Sequence, residues 1–248
     1  MSRRTFGVAA SALSRYVGGI AAVAGFLVVG ALIIGPRTLR SSARQSSAPR
    51  APDAAPEAAS NLTLEALDAK DPIAYFIADG SGKPGYRFTD RELAQWALDA
   101  WQRSAANGFR FAAAPESRTR VRLYWAEPGG GEYGETRPLL VGGRHGAAVF
   151  IRPDVEALGP EIAQRAATDP LLRDSIVYLT CLHELGHALG LSHTDDFRDI
   201  MYFFGYGGDV AAYFGRYRAK LHSRRDIATV SGLSDGDIRR LRALYPRK

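Results

Sequence analysis

The stretch His183-Glu184-Leu185-Gly186-His187-Ala188-Leu189-Gly190-Leu191-Ser192-His193 sets three imidazoles and a carboxylate within eleven residues. On a helix, positions four apart share a face, so His183 and His187 project the same way. Two neutral imidazoles so placed make half of a tetrahedral zinc site. Glu184, next to the first of them, is where a carboxylate can take a proton from a water on the metal. Gly190 is the residue type that ends a helix in the left-handed conformation. A sharp turn there would bring His193 back as the third ligand. At this composition a chance match is on the order of 10⁻⁵, and three of the chain's five histidines fall on the pattern. An ordinary amphipathic core helix with hydrogen-bonded histidines has no reason to adopt that spacing. The chemistry indicated is zinc-assisted hydrolysis.

The helix that must carry these residues is expected to start at Asp169-Pro170, an N-cap followed by proline at the first helical position. It would send Leu172, Ile176, Leu179 and Leu182 into the core. Cys181 lies about 200° around that helix from His183, on the geometry of two residues, and reads as a small buried hydrophobe rather than a thiolate ligand. Upstream, Ile73–Ile77 reads as a first strand. Thr89-Asp90-Arg91-Glu92 has the form of a capping box. It opens a helix with Leu93, Trp96, Ala97, Ala100 and Trp101 on one face, stopped by Asn107-Gly108. Phe109-Arg110-Phe111 reads as a short strand. Thr119 to Trp125 alternates, with Val121, Leu123 and Trp125 inward. A glycine-rich loop spans Pro128 to Gly134, and a further strand covers Ala147–Ile151. His145, in a glycine-rich turn, reads as a surface histidine or a second-metal ligand. Near the end, Ser234 caps an amphipathic helix that would bury Ile238, Leu241 and Leu244.

The chain has 248 residues, 46% hydrophobic and 23% charged, room for one domain of about 180 residues with an appendage. Its net charge of +6 is concentrated at the front. The first fifty residues hold seven arginines and no acid, leaving 25 basic against 26 acidic residues for the rest. That balance excludes a nucleic-acid footprint, which needs basic residues clustered on the folded domain. The local group Arg216, Arg218, Lys220, Arg224 and Arg225 is expected to be a solvated helix face. One cysteine permits no intrachain disulfide.

After a basic tail of residues 1–15, residues 16–36 carry no charge and are long enough to cross a bilayer as a helix. The apolar core is long for a cleaved signal sequence and no Ala-x-Ala site follows it, which favours an uncleaved anchor over a signal peptide or a soluble core helix. Flanking arginines balance across the span. With only the short tail before it, the functional domain is expected on the far, extracytoplasmic side, and as a secreted domain if the span is cleaved. Residues 37–71 are Ala/Ser/Pro-rich and read as a flexible tether, with the folded domain over 72–248.

With Met201 eight residues past His193, the histidine pattern resembles that of the metzincin metalloproteases, and most closely the matrixins. The Asp199-Ile200-Met201-Tyr202 context and the closing Leu233-Ser234-Asp235-Gly236-Asp237-Ile238 helix resemble matrixins too. The resemblance implies an α+β, zincin-like catalytic domain, with a twisted mixed sheet, an active-site helix and a C-terminal helix, here preceded by a single transmembrane helix. It implies His183, His187 and His193 as ligands of one catalytic Zn²⁺, Glu184 as general base, Gly190 at the turn and Met201 beneath the metal. The activity implied is endopeptidase cleavage of protein or peptide substrates, laid extended beside a strand edge for which Ala147–Ile151 is the candidate. A catalytically inactive zinc-binding scaffold that captures peptides is the alternative, and Glu184 argues against it. Structural calcium is left unassigned, with Asp195, Asp196 and Asp209 the acidic candidates.

Three departures bear on that comparison. Phe203 stands where matrixins place a proline. It also stands where some metzincins carry a tyrosine ligand or oxyanion donor, a role left to Tyr202 or Tyr206. No Pro-Arg-Cys-Gly segment precedes the domain, so a cysteine switch is excluded. The segment Gly207 to Gly232 is longer than a matrixin needs and is expected to shape the cleft.

Overall fold

The computed structural model describes residues 63–125 and 133–247. These form an α+β fold of one five-stranded mixed sheet and five α-helices. The expected span at 16–36 lies outside the described residues, and among those described no helix is long and apolar enough to cross a membrane.

The strands are β1 (Ile73–Ile77), β2 (Phe111–Ala113), β3 (Val121–Trp125), β4 (Gly134–Val141) and β5 (Arg144–Ile151), in the sheet order β2-β1-β3-β5-β4. All neighbours run parallel except β4, which pairs antiparallel with β5. β3 alternates as its sequence requires, with Val121, Leu123 and Trp125 buried. β2 begins at Phe111, two residues later than the expected strand. β4 was expected to be loop at its start and nothing beyond. It is fixed instead by the turn Gly142-Gly143, where φ is +57° and +74°. Positive φ at both central residues matches the right-handed twist of a tight hairpin, and glycine supplies it without a Cβ clash.

That hairpin corrects the expected substrate edge. Ala147–Ile151 is paired with β3 on one side and with β4 on the other, so neither of its edges is open. The edge strand on this side of the sheet is β4. Its register sets Gly134 opposite Ile151 and Thr136 opposite Val149. Ile151 and Val149 are buried, so Gly134 and Thr136 lie on the covered face.

That face is covered by α1 (Asp90–Ser104) and α3 (Pro170–Ala188), which pack on each other and, for α3, on β4 and β5. Trp101 is fully buried, and its indole N–H donates to Leu182 O at 2.9 Å. Trp96 is only half-buried and carries the Arg224 guanidinium 4.8 Å above its ring. Asp169 caps α3 as its sequence indicated, accepting from Leu171 and Leu172 N–H. The capping box at Thr89 does not form, because Thr89 is already in the right-handed helical region and its side chain caps nothing. Asp90 is diverted inward. Its carboxylate is fully buried and receives the Arg173 guanidinium on both oxygens, and Arg173 also donates to Gly85 O and Pro153 O.

The remaining helices are α2 (Pro160–Thr168), α4 (Val210–Arg218) and α5 (Asp235–Leu244). On α5, Leu241 is fully buried but Leu244 is 40% exposed and Ile238 half-buried. The inward position at the end is taken by Tyr245, whose hydroxyl accepts from Leu67 N–H and donates to Leu189 O. Leu67 is itself 4% exposed, so this part of the expected tether lies against the domain. Of the basic group on and after α4, Lys220 and Arg225 are exposed as expected, but three arginines are not simply solvated. Arg218 pairs with Asp169, Arg224 with Asp174 and Glu92, and Arg216 donates to Phe197 O, so these cations tie the C-terminal segment to α1, α3 and the loop after His193.

Removing one member of a buried ion pair costs more than the pair is worth, because the other charge stays desolvated. Arg173→Met is therefore expected to lower the unfolding free energy by about 3–5 kcal/mol. Adding Asp90→Asn should recover part of that loss in denaturant titrations. An unchanged midpoint for the single variant would show that Asp90 has other support.

Candidate metal centre

The end of α3 builds the site. Gly190 adopts φ +89°. Leu191 N–H reaches back to Gly186 O at 3.0 Å and Gly190 N–H to His187 O at 2.9 Å. These two bonds close a Schellman motif, with the buried Leu191 as its hydrophobic anchor. The chain reverses there, and His193 returns to the face that carries His183 and His187.

His183 Nδ1 lies 2.6 Å from Ile200 O and His187 Nδ1 lies 2.8 Å from Leu191 O. A carbonyl only accepts, so each Nδ1 bears the proton and each Nε2 presents a lone pair. The His193 Nε2 is 3.1 Å from that of His187 and 3.3 Å from that of His183. Two metal–nitrogen bonds of about 2.0–2.1 Å at a tetrahedral angle would span roughly 3.4 Å. The donor set thus fits a small, borderline-soft cation such as zinc. It is the one group among the described residues with the makings of a metal site. Burial holds all three imidazoles neutral: it pushes His183 well below the usual histidine range, lowers His187, and with the neighbouring His187 brings His193 to about 4. Neutral rings are the ligating form.

The carbonyls that orient these rings are themselves held. Ile200 N–H donates to Asp237 Oδ2 at 2.8 Å, and the Tyr213 hydroxyl is shared between Asp199 O at 3.1 Å and Ile200 O at 3.2 Å. Asp237 is the fully buried acid of the α5 capping box, so one carboxylate caps a helix and fixes the turn before Met201. Met201 is fully buried against α3, where a Cβ on Gly186 would collide with its sulfur. Phe203 stacks on His193 with ring centroids 4.8 Å apart.

Glu184 is 2% exposed and turns toward β4. The Thr136 hydroxyl lies 2.7 Å from its Oε2 and 2.9 Å from its backbone oxygen. A Cβ on Gly134 would come within 2.7 Å of Oε1. Beside it, Leu179, Thr180, Phe204, Tyr213 and Phe214 close an apolar hollow against His183 and Glu184. The space open to water centres is about 10 Å³, roughly enough for one molecule.

Other expected candidates lie elsewhere. His145 sits 3.8 Å from Glu65 and takes no part in the histidine cluster. Cys181 is fully buried, and burial pushes its thiol well above the ordinary range, as an inert core residue requires. Asp196 pairs with Arg198 and Asp209 caps α4. Tyr202 donates its hydroxyl to Gly207 O, and Tyr206 is 66% exposed. Gly134, Thr136, Tyr213 and Asp237 escaped the sequence reading as site residues. Only Asp237 had a local signal, three residues after Ser234 in the capping-box pattern.

A family model described as matrixin matches residues 161–211, which run from α2 through α3 and His193 to the start of α4. The match covers the stretch in which the histidines, Glu184 and Met201 lie. No curated protein matches the chain.

Gly190→Ala would place a Cβ at positive φ and against the backbone of Ala66. Groups that orient a ligand are worth about 10–100-fold in metal affinity, and a loss of that size is expected in chelator competition. His193→Ala should lose stoichiometric zinc outright in metal analysis after dialysis. Full retention would remove His193 from the ligand set.

Proposed function

We propose that the chain is a zinc-dependent endopeptidase in which His183, His187 and His193 hold the metal and Glu184 is the general base. The observation that carries this reading is the buried Glu184 carboxylate beside three clustered imidazoles, two of which turn their ring protons outward to carbonyls. The matrixin match over the same residues agrees with it. When bound, zinc supplies Lewis acidity, polarising a carbonyl and lowering the pKa of a coordinated water toward ~7.

The protein's own groups do the rest. Glu184 accepts a proton from the attacking water and hands it to the leaving amine. The substrate backbone lies extended along the outer edge of β4, which pairs with no other strand among the described residues, and takes ladder hydrogen bonds there. The small hollow beside Glu184 favours a small side chain next to the scissile bond. Residues 16–36, uncharged and flanked by arginines, would anchor the protein in a membrane with this domain outside the cytoplasm.

The full-length chain, loaded with zinc, is expected to cut casein or a mixed peptide library. Glu184→Ala should keep its zinc and lose at least about 10²-fold in rate. Stoichiometric zinc in both proteins with no cleavage by either would sink the enzyme reading and favour peptide capture.

A further inference from the structure

Glu184 is a nearly buried carboxylate, and such a group keeps a fixed orientation only if something holds it. The Thr136 hydroxyl, 48 residues away in sequence, stands 2.7 Å from Oε2. It has one proton and two acceptors within reach, Oε2 and the Glu184 backbone oxygen at 2.9 Å. The main-chain oxygen lies inside α3, where a helical N–H also serves it. The charged oxygen is the stronger acceptor. Two residues earlier on the same face of β4, Gly134 leaves open the space that Oε1 and Cγ occupy. A methyl group there would stand 2.7 Å from both atoms. One strand therefore supplies a donor for one oxygen and room for the other.

We infer that Thr136 is a positioning residue for the base, and that Gly134 and Thr136 together form a cradle on β4 that sets the Glu184 carboxylate. The inference rests on the proposed role of Glu184 and adds a coupling to it. β4 is the edge strand offered to the substrate backbone, so the strand that would register the scissile bond also registers the base. Side chains held this way act through Glu184 and touch no substrate.

Three full-length, zinc-loaded proteins test it: Thr136→Val, which keeps the shape and loses the hydroxyl, Thr136→Ser, which keeps the hydroxyl, and the parent. In Thr136→Val, kcat should fall roughly tenfold to a hundredfold, the range for a lost hydrogen bond to a charged group. KM should stay within about twofold, and Thr136→Ser should return kcat to within a few-fold of the parent. Crystal structures of the zinc-loaded parent and Thr136→Val give the readout that needs no activity. The carboxylate should lie against Thr136 in the parent and leave that place in the valine variant.

An unmoved carboxylate in Thr136→Val, or a serine variant as slow as the valine one, would overturn the cradle. If the parent cuts nothing, the endopeptidase reading falls. The position of the carboxylate still decides the role of Thr136.

Discussion

The Nε2 lone pairs of His183 and His187 are turned toward the point that His193 Nε2 also faces, where they repel one another, and the rest of the structure serves to hold them there. The separations of 3.1 and 3.3 Å would suit hydrogen bonds, but the protons of His183 and His187 are committed to carbonyls on the far side of each ring. A cation at the centre turns that repulsion into attraction. The fold must therefore fix two carbonyls, those of Leu191 and Ile200, before the histidines can be placed.

Each carbonyl is fixed by a different device. Leu191 is set by the Schellman turn at Gly190, a local motif that closes within six residues. Ile200 is set from a distance: Asp237 takes its N–H, and the Tyr213 hydroxyl is shared between its carbonyl, which also meets His183, and that of Asp199. Asp237 also receives the N–H of Ser234 and the guanidinium of Arg240. A hydrogen bond to a charged group contributes about 1.5–3 kcal/mol, so the C-terminal helix is anchored where it steadies the carbonyl that meets His183. The Tyr245 hydroxyl gathers Leu67 and Leu189 in the same manner, joining the start of the domain, its end and the end of α3.

What was legible in the sequence follows the range of the interactions. The ligand helix, its Asp169-Pro170 start, its glycine turn and the alternation of β3 are written in spacings of two to four residues, and these are present in the structure. β4 was not legible because its sequence, with Glu135, Arg137 and Pro138, lacks an apolar alternation; an edge strand needs one covered face only, and here glycine and threonine occupy it. The hairpin signal was present at Gly142-Gly143. The inward turn of Asp90 could not be read from Thr89-Asp90-Arg91-Glu92, since its partner Arg173 is 83 residues on. Arg218 and Arg224 looked solvated for the same reason: their acids sit on α1 and at the start of α3.

The departures from the matrixin pattern fall together on one wall of the cleft. Phe203, in place of a proline, lies on the His193 ring, and a Cβ on Gly205 would clash with the phenyl ring it seats. The longer segment after it supplies α4, whose Tyr213 and Phe214 close the hollow beside Glu184. Tyr213 is thus two things at once. Its ring lines the hollow, and its hydroxyl, buried with the rest of the side chain, sits between the carbonyl of Asp199 and the Ile200 carbonyl that orients His183. A smaller side chain at Tyr213 would enlarge the hollow and also remove the hydroxyl that sits between the Asp199 and Ile200 carbonyls, whereas Phe214 has no such second task in the hydrogen-bond framework. The volume of the hollow and the setting of the His183 ring are therefore coupled at Tyr213 and uncoupled at Phe214, although the two side chains are neighbours on one helix.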